Sequence, residues 1–245
     1  MENLLTRKLE LFGPLPDADR RVLDEIVASP RIVEGHLDIA REGESPKHVR
    51  LILEGFACRY KQLEDGRRQI MAYLVPGDLC DLHVFILKAM DHSIATLTTS
   101  KVVDIPRSRI LELTERPAIA RAFWWMTLVD EATLREWLVN LGQRDAEERV
   151  AHLFCELHLR LKSVGLSDGA RFSLPITQAE LGDTMGISSV HANRALQSLR
   201  SKDLITFRNR EVVILDVARL QQLSGFNPNY LHLKGGKHDA RPGGR

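Results

Sequence analysis

The stretch at residues 177–205, TQAELGDTMGISSVHANRALQSLRSKDLI, constrains the chain most, because its apolar spacing fits two short helices around one tight turn. Thr177 followed three residues later by Glu180 makes a capping box: the Thr hydroxyl and the Glu carboxylate each take a backbone N–H left unpaired at a helix start. The spacing therefore predicts a helix from Thr177. Gly186 supplies the left-handed residue of a turn, and Ser188 is placed to cap a second helix running to about Arg200. Ala179, Leu181, Met185, Ile187, Ala192, Ala195, Leu196 and Leu199 are expected to lock these helices together. Ser188, Ser189, Val190, His191, Asn193, Arg194 and Gln197 are left to solvent or a partner. Residues 205–215 then read as a hairpin with a polar RNRE tip between ITF and VVIL, which completes the pattern of a winged helix-turn-helix.

Upstream, residues 1–30 read as one or two short helices, the later one opened by Pro16-Asp17. From Arg31 to about Pro106 the runs VRLILEGFACRY, QLEDGRRQIMAYL, VPGDLC, SIATLTT and KVVDIP read as strands of a small β-barrel or jelly roll, with Glu64-Asp65-Gly66 as a hairpin turn. Arg116-Pro117 starts a long helix through about Leu141. Ile119, Ala122, Met126 and Val129 form one apolar row on it, while Phe123, Trp124, Trp125, Leu128, Leu134, Trp137, Leu138 and Leu141 spread over the rest. A helix apolar over so much of its circumference must be covered on two sides, either by a second copy or by burial inside a monomer. Residues 142–144 read as a hinge, and Asp145 as the cap of a helix whose Arg149, Val150, Leu153, Phe154, Leu157 and Leu161 face the helix-turn-helix. Residues 167–175 read as a loop, and the polar, Gly-rich tail after Tyr230 is expected to be disordered.

Composition excludes several classes. With 44% hydrophobic and 27% charged residues over 245 positions, the chain has material for one or two cores, and no apolar run approaches a membrane span or a signal-peptide core. A cytoplasmic location is the expectation. Cys58, Cys80 and Cys155 lack C-x-x-C spacing, against a disulfide framework or a structural zinc. No G-x-S-x-G elbow, phosphate-binding glycine loop or H-E-x-x-H helix is present, so nothing points to an enzyme. The net charge of +1 is uneven: from Arg171 onward 11 Lys/Arg face 6 Asp/Glu, a net of +5, which leaves residues 1–170 at −4. The basic excess lies with the helix-turn-helix, where it favours a polyanion.

The spacing T-Q-x-x-L-x-x-x-x-G-I-S-x-x-x-x-N-R-x-L-x-x-L, with D-L-I after it, resembles the C-terminal domain of the Crp/Fnr family of bacterial transcription regulators. LILEGFACRY, the DGRRQI turn, PGDLCDL and MDHSIATLT resemble that family's β-roll. The resemblance implies an α+β fold: a cyclic-nucleotide-binding-type β-roll at 1–116, a dimerisation helix and hinge at 117–142, a winged helix-turn-helix at 143–220 and an extension at 221–245. It implies a homodimer joined through Ile119, Ala122, Met126 and Val129, a pseudo-palindromic DNA site and contact with RNA polymerase. In the cyclic-AMP-binding members a Gly-Glu-Leu run holds the ribose and Arg-Ser holds the phosphate. Here the matching places read Gly77-Asp78-Leu79 and His92-Ser93, and the helix positions expected to face adenine hold Leu134 and Arg135. An imidazole in place of a bidentate guanidinium, and a shorter carboxylate, argue against cyclic AMP and for another effector or none. No cysteine precedes Cys58, against an iron–sulfur sensor. Cys80, Asp81, His83, Asp91 and His92 form the one candidate metal or haem cluster, the basis of an alternative reading as a sensor or enzyme.

Matched to the family motif, Ser189, Val190, Asn193 and Arg194 occupy the positions that face base edges. Arg194 suits guanine O6 and N7, and Val190, where many relatives carry Glu, offers apolar contact to a thymine methyl. Thr177, Gln178, Ser188, His191, Arg208 and Arg210 are expected at phosphates.

Overall fold

The computed structural model describes residues 3–82, 86 and 88–233. Two short helices, α1 (Leu4–Leu9) and α2 (Asp17–Ile26), lead into eight strands: β1 (Arg31–Val33), β2 (Asp38–Ala40), β3 (His48–Glu54), β4 (Ala57–Gln62), β5 (Arg68–Leu74), β6 (Leu79–Cys80), β7 (Ser93–Thr96) and β8 (Ser100–Pro106). They form two antiparallel sheets, ordered β1-β8-β3-β6 and β2-β7-β4-β5, which is the expected β-roll. The run VRLILEGFACRY is two strands rather than one. Gly55 breaks it at φ +87°, and a Cβ there would come within 2.3 Å of Ser100 Oγ and 2.7 Å of Thr99 O, so the chain turns tightly against its neighbour.

After α3 (Arg107–Thr114) the long helix α4 runs Pro117–Gln143, with Pro at its first position. Ile119, Ala122, Phe123 and Met126 are buried in the core of the roll together with Leu51, Leu79 and Ile110. This corrects the expected dimer row. Three of its four members face inward and Val129 is half-buried, while Trp124, Leu128, Leu134, Leu138 and Val139 stay exposed, Trp124 by 71%. The pattern marked two faces correctly but not which one the roll would claim.

Helix α5 (Ala146–Ser163) opens with a capping box between Asp145 and Glu148. Every residue from Val150 to His158 is buried, because α5 lies between the roll, the helix-turn-helix and the chain's last segment. The supposed loop at 167–175 carries strands β9 (Ser167–Asp168) and β10 (Arg171–Ser173). With β11 (Ile205–Arg208) and β12 (Glu211–Ile214) they make a four-stranded sheet ordered β11-β12-β10-β9. Between them lie α6 (Gln178–Met185) and α7 (Ser189–Ser201); α8 (Val217–Ser224) and a 3-10 turn, Pro228–Leu231, follow. Tyr230 and Leu231 are buried, which corrects the expected disorder after Tyr230 at its first residue, and residues 234–245 of that tail lie outside the described residues. Among the described residues no helix is long and apolar enough to cross a membrane.

The two lobes share one core. Phe56, Cys58, Ile70 and Tyr73 of the roll pack in the same cluster as Leu153, Phe154, Leu181 and Met185. Polar contacts seat α6 on β5: Arg68 Nε donates to Asp183 at 2.8 Å, Gln69 Nε2 donates to Thr184 O at 3.1 Å, and the Tyr73 and Thr184 hydroxyls are bonded to each other.

Candidate nucleic-acid interface

At Thr177 the capping box forms as expected. Thr177 Oγ1 accepts from Glu180 N at 3.1 Å while Glu180 Oε2 takes Thr177 N at 2.7 Å and its hydroxyl at 2.9 Å. Both Thr177 donors are thus spent on Glu180, and no hydroxyl hydrogen is left over for a phosphate. Gly186 caps α6 in the left-handed conformation at φ +64°. Sequence reasoning passed over Gly182, whose added Cβ would lie 2.7 Å from Ile187 O: the turn folds back directly onto α6, and a glycine four residues before Gly186 was the available signal. Leu181, Met185, Ala192, Ala195, Leu196 and Leu199 are buried as expected; Ala179 is exposed and Ile187 only half-buried.

Ser188 caps α7, its Oγ accepting from His191 N at 3.3 Å and bonding His191 Nδ1 at 2.9 Å. The outer face of the first two turns of α7 is open. Ser189, Val190, His191 and Arg194 are exposed and Asn193 is half-buried. Arg194 has no ion pair among the described residues. Gln178 is not free: its Nε2 donates to Asn193 Oδ1 at 3.3 Å. Beside α7 the wing turns through Asn209 and Arg210, both at positive φ, between the paired residues Arg208 and Glu211. Arg208 and Arg210 are exposed, and Arg210 also lines a cleft of about 1190 Å³ between the wing and the roll, opposite Gly55 and Lys101. The geometry therefore offers a helix N-terminus, a bare guanidinium and a cationic wing, the elements that engage phosphates and major-groove edges.

The residues matched to a nucleotide pocket do not all converge. Asp78, Leu79 and Leu134 border one small cavity together with Arg59, Met126 and Arg160, but Arg135 lies exposed and pairs with Glu131 at 2.7 Å. Gly77 turns at φ +92° against α1. Asp78 is held by Lys8 and, at 2.8 Å, by Arg160 of α5. Burial works to raise its carboxyl, but the two cations outweigh burial and hold it below the usual value. Arg59 is likewise taken, by Asp81 at 2.9 Å and Asp130 at 3.0 Å. Leu231 and Leu233 from the chain's end enter the same space, and about 40 Å³ remains. Ser93 accepts from Glu42 N at 3.0 Å instead of facing that cavity.

His92 has a carboxylate at each ring nitrogen, Asp91 at 2.7 Å and Asp81 at 3.2 Å. Burial lowers its pKa, but the two carboxylates prevail and hold it above the ordinary histidine value. Both ring nitrogens are engaged within the protein. Burial pushes the Cys80 thiol well up. His83 lies outside the described residues, and among the described residues no three His, Cys, Asp or Glu side chains gather as a metal site.

Comparison with known proteins agrees with this geometry. The cyclic nucleotide-binding domain matches residues 31–116 and the Crp-like helix-turn-helix domain matches residues 148–223. The nitrogen fixation regulation protein FixK of Bradyrhizobium diazoefficiens is 30% identical over 71% of this chain and 72% of its own. Transcriptional activator protein FnrL of Cereibacter sphaeroides is 27% identical over 75% of each chain. The structure of FixK2 from Bradyrhizobium japonicum superposes with a TM-score of 0.72 at 26% identity, covering 80% of this chain and 96% of that one. With a β-roll, a long helix and an exposed recognition helix beside a wing, the chain belongs to the Crp/Fnr family of DNA-binding transcription regulators.

Proposed function

We propose that this regulator binds a pseudo-palindromic duplex site as a homodimer, in the absence of cyclic AMP. The observation that carries the DNA reading is the open first two turns of α7, with Arg194 unpaired among the described residues. Ser189, Val190, Asn193 and Arg194 face base edges in this reading, and Arg194 pairs with guanine O6 and N7. Ser188, His191, Arg208 and Arg210 meet phosphates; Thr177 and Gln178 lie at the same edge but are engaged within the protein.

The exposed apolar side chains Trp124, Leu128, Leu134 and Leu138, which flank the exposed Glu131–Arg135 pair on α4, support pairing with a second copy, since large apolar groups gathered on one helix face are costly in water. Pairing along α4 would set two recognition helices one helical turn of DNA apart. RNA polymerase is the further partner that an activator of this kind engages, and a cytoplasmic location follows from that work.

Independence from cyclic AMP rests on the small cavity. Ligand pockets occupy roughly 300–1,000 Å³, whereas the space beside Asp78 is about 40 Å³ and is bordered by the chain's own Leu231 and Leu233. Selection of sites from a random duplex library with purified protein, with and without cyclic AMP, tests both halves. A two-fold motif obtained equally in both arms is the expected result. A motif that needs the nucleotide would overturn the pocket argument, and no motif in either arm would overturn the DNA reading.

A further inference from the structure

We propose that Gln178 is a positioning residue that decides which kind of base edge Asn193 reads, an inference that rests on α7 being the recognition helix. Gln178 is the first residue of α6, and its Nε2 donates to Asn193 Oδ1 at 3.3 Å across the helix-turn-helix. An asparagine free to turn presents a donor and an acceptor and pairs with adenine N6 and N7. Here the carbonyl side is tethered to Gln178, which leaves the amide NH2 as the group offered to the groove. Asn193 then selects an edge that only accepts, guanine O6 and N7 or thymine O4, over adenine, whose N7 acceptor stands beside the N6 donor, and over cytosine, which offers only the N4 donor.

Its neighbours offer the same polarity. Ser188 Oγ accepts the His191 backbone N–H at 3.3 Å, so its own hydrogen is free for Nδ1 at 2.9 Å. Where the Ser188 hydroxyl donates to Nδ1, the neutral ring carries its proton on Nε2, a donor. Arg194 only donates, Val190 contributes methyl groups, and no carboxylate lies in the sequence SVHANR at 189–194. Apart from the Ser189 hydroxyl, which gives or accepts, the first two turns of α7 thus present donors and apolar surface. This is the reverse of relatives that carry Glu at the position of Val190, where a carboxylate accepts from cytosine N4. Gln178 keeps Asn193 in that donor set.

The test compares the site preferences of the full-length protein with those of Gln178→Glu, Gln178→Ala, Asn193→Ala and the Asn193→Ala/Gln178→Glu double variant, each by selection from a random duplex library. All the changed side chains are at or near the surface, and the thermal midpoint of each variant shows that it folds. A glutamate at 178 can only accept, so it takes the Asn193 NH2 and turns the carbonyl outward. Gln178→Glu is expected to move one position of each half-site from guanine or thymine to cytosine or adenine, changing the affinity ratio by about tenfold, with the other positions intact. Gln178→Ala broadens the same position, and Asn193→Ala abolishes the switch in the double variant. An unchanged motif with uniformly weaker binding in Gln178→Glu would reduce Gln178 to a phosphate or surface role and overturn the proposal. Failure of the unaltered protein to select any motif would instead overturn the reading of α7 beneath it.

Discussion

Arg160, on the first helix of the DNA-binding lobe, donates to Asp78 of the β-roll at 2.8 Å, and another nitrogen of the same guanidinium holds the buried Glu156 at 3.1 Å. Glu156 in turn accepts from Trp137 Nε1 of α4 and from the Tyr230 hydroxyl of the last turn, both at 2.9 Å. One connected set of charged and polar groups therefore ties the roll, the long helix, the DNA-binding lobe and the 3-10 turn at Tyr230 together. The resemblance matches Asp78 to the ribose carboxylate of the nucleotide-binding members; in this chain its carboxylate joins the lobes.

Asp78→Ala should leave Lys8 and Arg160 without their shared anion in a nearly dry site. Breaking a buried pair from one side costs about 3–5 kcal/mol. Urea unfolding of the variant should show a loss of that order, and a change below about 1 kcal/mol, the range of surface pairs, would show that the joint is solvent-screened.

Arg194→Ala should cost about 1–3 kcal/mol of binding to the preferred site and relax one base position, whereas Arg208→Ala should weaken all sequences alike and flatten the salt dependence. Titrations of specific and scrambled duplexes at several salt concentrations separate the two. Retained sequence preference in Arg194→Ala would remove that residue from the reading face.

On α4, Leu138→Glu and Met126→Glu should behave oppositely. Leu138 is 73% exposed, so its replacement should leave a folded protein that sediments as a monomer. Met126 lies in the core of the roll, so its replacement should unfold that lobe. Analytical ultracentrifugation with circular dichroism checks both, and a dimer that survives Leu138→Glu would move the interface elsewhere.

Stability should fall with acidity through His152. Burial and the nearby Arg144 push its pKa down to about 4, even though Glu136 lies 3.2 Å away and pulls the other way. Because the unfolded ring titrates near about 6.5, the unfolded state binds more protons between the two values. The contribution is fully present above the unfolded value and is lost as pH falls toward about 4, at up to roughly 1.4 kcal/mol per pH unit. Unfolding midpoints of the protein and of His152→Gln, followed from pH 7 to 4.5, should converge as the pH drops; parallel curves would count against it.

Much of the DNA-binding unit was legible because its signals are local. A Thr-x-x-Glu box, a glycine with a left-handed turn and a serine cap each act within one helical turn, so the two helices, their turn and their packing residues at 177–201 were legible apart from Ala179, which is exposed, and Ile187, which is half-buried. The wing was legible for the same reason: Asn209 and Arg210 join two short alternating strands. Three readings failed where the deciding contact is distant in sequence. The loop at 167–175 becomes strands because β12, some forty residues later, supplies the hydrogen bonds. The run at 49–60 breaks because Gly55 meets Ser100. The inward face of α4 was misassigned because an apolar row is equally compatible with a roll or a second copy.

The sequence by itself determined the family, the order of the lobes and the reading helix, since capping, turn and spacing rules depend on neighbours along the chain. Only the tertiary structure decided that Asp78 is neutralised by Lys8 and Arg160, that Leu231 and Leu233 border the small cavity beside Asp78, and that Gln178 is tethered to Asn193. Those outcomes are fixed by which charges and apolar groups the fold brings together in a low-dielectric interior, where an unpaired ion or an empty cavity is costly, and neither cost is written in the spacing of residues along one element.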